Sequence, residues 1–350
     1  MTEISRELFD QERRPRFGNA NPERMTLAFW EWMVRGGEAP ATDGESGLGK
    51  LGFRMREGKL KSTYGPYRAR DLFNIPLNRE EGPIWTFDRM GATRSQLPDG
   101  RVVCVGGEHE DFYDPDFYIY NDVIVLGPNG QVDIYGYPKE VFPPTDFHTA
   151  TVANDRVVVI GSLGYPNERR SGHTPVYMID LLQFGISEIT TSGEMPGWIS
   201  EHESSYDPLK GVITVKGGQL VQEKDGKQRI HGNFEDYALD THSWAWRRLT
   251  SRDWREFSIR QKKGTFVLEQ RPEPEALLVG IDHALVLCEG KEDVRFLVAG
   301  ISVSLTIGIV EIKVIVQGSL SDALSAHMLE KIRANTEAAI QRPCTLQQEA

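Results

Sequence analysis

Short, mostly apolar runs that stop on glycine recur along the middle of the chain. They occupy 102–105 before Gly106-Gly107, 157–160 before Gly161-Ser162, and 212–215 just before Gly217-Gly218. The leading glycines are 55 (161 − 106) and 56 (217 − 161) residues apart. A turn signal precedes each run: Pro98-Asp99-Gly100, Asn154-Asp155, and Asp207-Pro208 with Lys210-Gly211. A loop of variable length follows each, then an aromatic-rich strand: YIYNDVIVL at 118–126, PVYMIDLLQF at 175–184 and FEDYALDTHSWAW at 234–246. The pattern predicts antiparallel strands in equivalent units. One such sheet cannot bury both of its faces alone, so the units are expected to stack sheet against sheet. Paired glycines let an inner strand turn where Cβ atoms would clash.

The flanks have other periods. Residues 1–20 are polar and irregular and read as a mobile arm. Asn21 and Pro22 have the chemistry of a helix cap and first helical position, with a helix expected to about Arg35 and a stop at Gly36-Gly37. Met25, Phe29 and Met33 share one face and Leu27, Trp30 and Val34 another, so this helix must be docked. Residues 36–50 read as a linker. Towards the C-terminus, Ile301, Val303, Leu305 and Ile307 alternate with polar residues, and the parity flips at Val310, Ile312 and Val314. One strand cannot do that, so a bulge or turn is expected at 308–310. Short strands are expected at 276–280 and 284–288, and a helix over about 321–341, ended by Pro343. The domains expected are 1–50 (arm, helix and linker), 51–255 (the repeated β units) and 273–350 (a small α+β domain after Pro272-Glu273-Pro274).

The repeated units resemble kelch repeats. In the first, Arg89-x-Gly91-Ala92, the run 102–105, Gly106-Gly107, Tyr120 and Asn121-Asp122-Val123 carry the resemblance. In the second they are His148, the run 157–160, Gly161 and Tyr177, with Ser162 in place of the second glycine. In the third they are His202, the run 212–215, Gly217-Gly218, Tyr237, Asp240 and Trp244. The resemblance spans about residues 85–250 and implies a mainly β fold, a kelch-like β-propeller, to which the periods of the flanks add an N-terminal helix and a small C-terminal α+β domain. It also implies that His202 fills a structural position.

Charge narrows the partners. A net charge of −11 argues against nucleic acid, which requires a basic surface. A local basic run, Arg247, Arg248, Arg252, Arg255, Arg260, Lys262 and Lys263 with Trp254 and Phe257, reads as a solvated inter-domain surface. The longest uncharged apolar stretch, 296–310, has fifteen residues, short of the ~18–20 of a spanning helix. Cys104, Cys288 and Cys344 are scattered without metal spacing, as in a reducing compartment, and Cys104 reads as a core thiol. A cytoplasmic protein is expected.

The loop after Gly107 concentrates the chemistry. Glu108, His109, Glu110 and Asp111 are hard or borderline ligands that would suit a divalent cation, although the spacing is not that of an EF-hand. Phe112, Tyr113 and Phe117, with Asp114 and Asp116, combine aromatic anchors and acids as a protein-binding surface does. A second Glu-His-Glu, at Glu201, His202 and Glu203, would strengthen the cation reading if the two loops converged. No nucleotide, hydrolase or zincin motif is present. The expectation is a non-enzymatic interaction module without a cofactor, in a bacterium a regulator or toxin-neutralising binder. The alternative is a metal-dependent enzyme or small-ligand-binding propeller using the two acidic loops.

Overall fold

The computed structural model describes residues 4–37, 53–56, 59–62, 83–109, 117–224, 226–262, 272–281, 284–289, 293–308 and 310–349. The chain is mainly β and forms two units, Met1–Leu249 and Thr250–Ala350.

The first unit repeats one antiparallel design three times. Sheet I contains Thr93–Gln96, Val102–Val105, Val123–Leu126 and Val132–Gly136. Sheet II contains Thr149–Ala153, Arg156–Ile160, Val176–Asp180 and Ile186–Glu188. Sheet III contains Glu203–Asp207, Val212–Lys216, Tyr237–Asp240 and Ala245–Arg248. In sheets I and II the apolar runs are buried on both faces, which explains why they read as continuous rather than alternating, whereas in sheet III only Ile213 and Val215 of the run are buried. Val103 and Val105 of sheet I pack with Val157 and Val159 of sheet II. Val158 and Ile160, on the opposite side of sheet II, pack with Ile213, Val215 and Leu239 of sheet III. Each such side chain contributes roughly 1.5–3 kcal/mol on burial.

The other face of sheet I carries Cys104, Ile124, Leu126 and Ile134 and is covered by the N-terminal segment. Residues 4–20 are therefore not a loose arm. A helix spans Arg6–Glu12; the Ser5 hydroxyl accepts the Leu8 N–H at its start, and Phe9 is fully buried edge-on to Phe29, with centroids 5.2 Å apart. Nor does Asn21 cap the next helix. The chain first makes a cis Asn21-Pro22 bond and a strand, Glu23–Arg24, that pairs with Val132–Gly136. The Asn21 amide closes on the Ile186 backbone instead, donating to its oxygen at 2.7 Å and accepting its N–H at 2.8 Å. The helix itself is Ala28–Gly37, and Phe29, Trp30, Met33 and Val34 are buried as their pattern demands. Trp30 stacks on Trp85 at 4.8 Å. The remainder of the expected linker, 38–50, lies outside the described residues.

The second unit is a six-stranded antiparallel sheet in the order Leu285–Glu289, Asp293–Val298, Ile301–Ile307, Ile312–Gln317, Trp254–Gln261, Cys344–Gln348. The parity flip marks a hairpin: Ile307 pairs with Ile312, and Gly308 N–H donates to the Glu311 oxygen at 2.8 Å. Residues 276–280, expected to form a strand, instead end the short helix Pro274–Leu277, which has Pro274 in its first turn, and make the turn after it. The long helix is Asp322–Ile340.

The basic run is not merely a solvated surface. Trp254–Gln261 lies inside the sheet, paired on both sides, and buries Phe257 and Ile259. Arg255 donates to the Leu320 oxygen at 2.7 Å and to Asp322 at 3.1 Å, and Arg260 pairs with Glu311 and Glu349. The second unit accordingly begins at Thr250, upstream of the Pro-Glu-Pro boundary at 272–274. No helix among the described residues is long and apolar enough to cross a membrane.

Candidate functional site: the inner ends of the three sheets

Each sheet is entered through a residue in the left-handed region: Gly91 (φ 63°), Phe147 (φ 47°) and Glu201 (φ 55°). These residues are joined from sheet to sheet. Phe147 N–H donates to the Gly91 oxygen at 2.8 Å, and Glu201 N–H to the Phe147 oxygen at 2.7 Å. The glycine turns close the same joints from the other side, with Gly107 N–H on the Thr145 oxygen (2.8 Å) and Ser162 N–H on the Ile199 oxygen (2.9 Å). No Cβ fits at the first of these turns: one on Gly106 would come within 2.1 Å of the Thr145 oxygen.

The next position along is Ala92, His148 and His202 in turn. Both histidines are buried, and each reaches back to the preceding sheet, His148 Nε2 to Thr93 Oγ1 and His202 Nε2 to Thr149 Oγ1, both at 2.9 Å. Burial depresses His148 to about 3 and His202 to about 4, so both imidazoles are neutral at pH 7. His202 is thus a joint between sheets II and III. Its neighbours point elsewhere: Glu201 accepts from the Gln219 amide at 2.8 Å, and Glu203 is exposed on its strand. Sheet I has its own lock. Arg89, with its side chain only 2% exposed, pairs with both carboxylate oxygens of Asp122, which also accepts the Trp85 indole N–H at 3.0 Å. Asn121 donates to the Tyr137 and Phe142 oxygens at 3.0 and 2.7 Å. The Asn-Asp pair seen in the sequence is therefore a buried structural clasp.

The acidic loop rises from a two-stranded base in which Glu108–His109 pairs with Tyr118–Ile119. Glu108 and His109 are buried, the reverse of a solvated loop. The Glu108 carboxyl interacts with that of Asp146, which is fully buried at the start of sheet II. Asp146 Oδ1 accepts the Gly164 N–H at 2.6 Å and the Ser162 hydroxyl at 3.3 Å. Burial pushes Asp146 above the usual carboxylate range, against the opposing pull of Gly164, Glu108, Ser162 and Arg169. Tyr165 braces the base from above: its hydroxyl accepts the Ile119 N–H at 3.0 Å, and its ring meets Phe117 edge-on at 5.7 Å. Phe117 is accordingly part of the packing. Trp198 is buried as well, donating its indole N–H to the Leu163 oxygen at 3.1 Å.

Glu110, Asp111, Phe112, Tyr113, Asp114 and Asp116 lie outside the described residues. Among the described residues no three His, Cys, Asp or Glu side chains gather as metal ligands, and the Glu108 and Glu201 loops form no joint cluster. Sequence reasoning missed Asp146, Ser162 and Arg169. The one available signal was that Asp146 immediately precedes Phe147-His148, the position that Met90 and Ser200 hold in the other units.

No family model matches the chain, and no curated protein matches it. Among solved structures it is similar to the structure of YjhT, at 10% identity and a TM-score of 0.29, over 74% of this chain and 84% of that one. It is also similar to MPT-4, a mannose phosphorylase from Leishmania mexicana in complex with phosphate ion, at 10% identity and a TM-score of 0.30, over 66% of this chain and 68% of that one. Likeness at these scores carries no argument about fold or activity.

Proposed function

We propose that this chain is a cytoplasmic, non-enzymatic interaction module, a kelch-like β-propeller array that offers the 110–116 loop to a basic protein partner. The observation that carries the reading is the base of that loop. Glu108–His109 and Tyr118–Ile119 are paired, clamped by Tyr165 and backed by Asp146. A segment with two aromatics and four acids whose flanking residues are paired with each other brings anchors and charge to one place on the surface. Its negative charge would steer a basic partner. The test replaces Phe112 and Tyr113 with alanine and Asp114 and Asp116 with asparagine. Cross-linked partners are compared between this variant and the parent at low and high salt. The reading expects the salt-sensitive partner to disappear from the variant while the melting temperature stays put. An unchanged set of partners would refute it.

A second reading, a metal or small-ligand site at the same loop, is favoured by the buried Glu108–Asp146 pair. It expects calcium or zinc to raise the melting temperature of the parent in a concentration-dependent way, and not that of Asp146→Asn. Identical curves for both proteins would exclude it.

A further inference from the structure

Two hairpins of sheet I turn in the same way. In the first, Leu97-Pro98-Asp99-Gly100-Arg101, Leu97 N–H donates to the Arg101 oxygen at 2.8 Å and Gly100 N–H to the Leu97 oxygen at 3.0 Å. In the second, Gly127-Pro128-Asn129-Gly130-Gln131, Gly127 N–H donates to the Gln131 oxygen at 2.8 Å and Gly130 N–H to the Gly127 oxygen at 2.9 Å. The glycines that close these turns are left-handed, Gly100 at φ 88° and Gly130 at φ 80°. The residue before each turns its side chain forward along the chain: Asp99 Oδ1 accepts the Arg101 N–H at 3.0 Å, and Asn129 Oδ1 the Gln131 N–H at 3.1 Å. The turns lie side by side, since a Cβ on Gly100 would lie 3.5 Å from Pro128 Cβ.

The matched backbones carry different leaving groups. A backbone nitrogen that attacks the side-chain carbon of the residue before it closes a cyclic imide, and glycine alone presents that nitrogen with no Cβ beside it. Asn129-Gly130 is the one Asn-Gly pair in the chain. It is exposed, a Cβ on Gly130 would meet nothing within 4 Å, and no partner among the described residues holds Asn129 Nδ2. Asp99 presents a carboxyl instead. Arg101 Nε donates to its Oδ2 at 2.8 Å, and that bond holds Asp99 below the usual carboxylate range. An ionised carboxylate repels an amide anion and has no neutral group to release.

We propose that Asn129 is a self-modifying site, where the Gly130 nitrogen converts the side-chain amide to a succinimide that opens to aspartyl and isoaspartyl products. The Gly130 N–H gives its proton to hydroxide, and its nitrogen bonds to Asn129 Cγ. The Cγ–Nδ2 bond breaks, and the amide takes a proton from water and leaves as ammonia. Water then opens the ring, at Cγ to leave an aspartyl residue or at the main-chain carbonyl carbon to leave an isoaspartyl one. The isoaspartyl product routes the main chain through the side chain and lengthens the turn between the strands Val123–Leu126 and Val132–Gly136 by one atom. Attack requires the Gly130 N–H to leave the Gly127 oxygen, a local opening at an exposed hairpin end. The native chain therefore reacts, more slowly than the same chain in urea. The reaction does not depend on the interaction reading.

The experiment holds the native full chain at mildly alkaline pH and body temperature and maps its asparagine peptides by mass over time. Isoaspartate is counted separately, by methylation with an isoaspartyl carboxyl methyltransferase and labelled S-adenosylmethionine. The amide-to-acid mass gain should appear at Asn129 at least tenfold faster than at any other asparagine, and the methyl label should follow it. Asp99 should acquire no label, whereas Asp99→Asn should react within threefold of the Asn129 rate. Asn129→Gln, which would have to close a larger ring, should lose the label. The proposal is overturned if Asn129 reacts only in urea, if another asparagine is as fast in the native chain, or if Asn129→Gln keeps the label. It is equally overturned if a folded Asp99→Asn stays inert, because the shared turn would then not be what activates the amide. The unaltered protein is read first, so a misfolded variant leaves the outcome intact.

Discussion

His148 and His202 tie stability to pH, and the sign follows from their burial. Their ordinary value is 6.5, and the fold depresses them to about 3 and about 4. Between those limits the unfolded chain takes up protons that the folded chain refuses. Their contribution is whole above about 6.5 and is lost as pH falls, at about 1.4 kcal/mol per histidine per pH unit. Urea melts stepped from pH 7 to 4.5 should show a steep loss, and His148→Gln or His202→Gln should each flatten it. An acid limb unchanged in both variants would assign the slope to other groups. Asp146, raised by burial, works in the opposite direction and offsets part of the slope. The glycines give a second test at this scale. Gly106 and Gly217 hold equivalent positions, with φ of 53° and 61°, yet a Cβ on Gly106 would strike the Thr145 oxygen at 2.1 Å and one on Gly217 would meet nothing within 4 Å. Gly217→Ala should cost about 1–2 kcal/mol, the left-handed penalty alone. Gly106→Ala should cost roughly 3 kcal/mol or more, because backbone must also move. Equal costs in denaturant melts would mean that the close approach of sheets I and II contributes nothing.

The helix Asp322–Ile340 shows how much an element owes to its two ends. The Ser321 hydroxyl accepts the Leu324 N–H at 3.4 Å, and Gln341 closes the C-terminus in the left-handed region at φ 55°. Ser321→Ala should destabilise by about 1 kcal/mol and Gln341→Gly should stabilise by up to about 1 kcal/mol, both read from thermal melts of the full chain. This helix was legible because its signals are local: a stripe of Leu324, Met328 and Ile332 and a proline, Pro343, after the end. The hairpin at 308–310 was legible for the same reason, since a change of parity cannot be hidden within one strand. Elements held by distant contacts were not. The helix Arg6–Glu12 has few apolar residues, and only Phe29 and its neighbours make Phe9 a core residue. Asn21 looks like a cap locally, and its true partner is Ile186. At the candidate site Glu108 and His109 were marked by their own chemistry. Asp146, Ser162 and Arg169 were not, because they come from the second unit of the pattern, and of these Asp146 meets Glu108 only where the sheets stack.

On the scale of the whole molecule, the place where the second unit begins can be argued from one strand. Proline-rich composition puts the boundary at 272–274, whereas the compactness of the two units puts it at Thr250. Trp254–Gln261 lies between Ile312–Gln317 and Cys344–Gln348 and bonds to both. Without it, those two strands lose their shared partner, and the core loses Phe257 and Ile259, which pack with Val314, Val316 and Met328. Two such side chains amount to several kcal/mol, and the unmade backbone hydrogen bonds add to the deficit. A domain of this size has a total stability of only about 5–15 kcal/mol. A fragment comprising 250–350 should therefore melt cooperatively, as should 1–249, whereas 273–350 should show no cooperative transition and weak protection from amide exchange. The comparison separates two causes of failure, because 250–350 and 273–350 share every residue of the long helix and the apolar hairpin. If 273–350 melted as sharply as 250–350, the strand would be an accessory to a core complete without it, and the compositional boundary would be the right one.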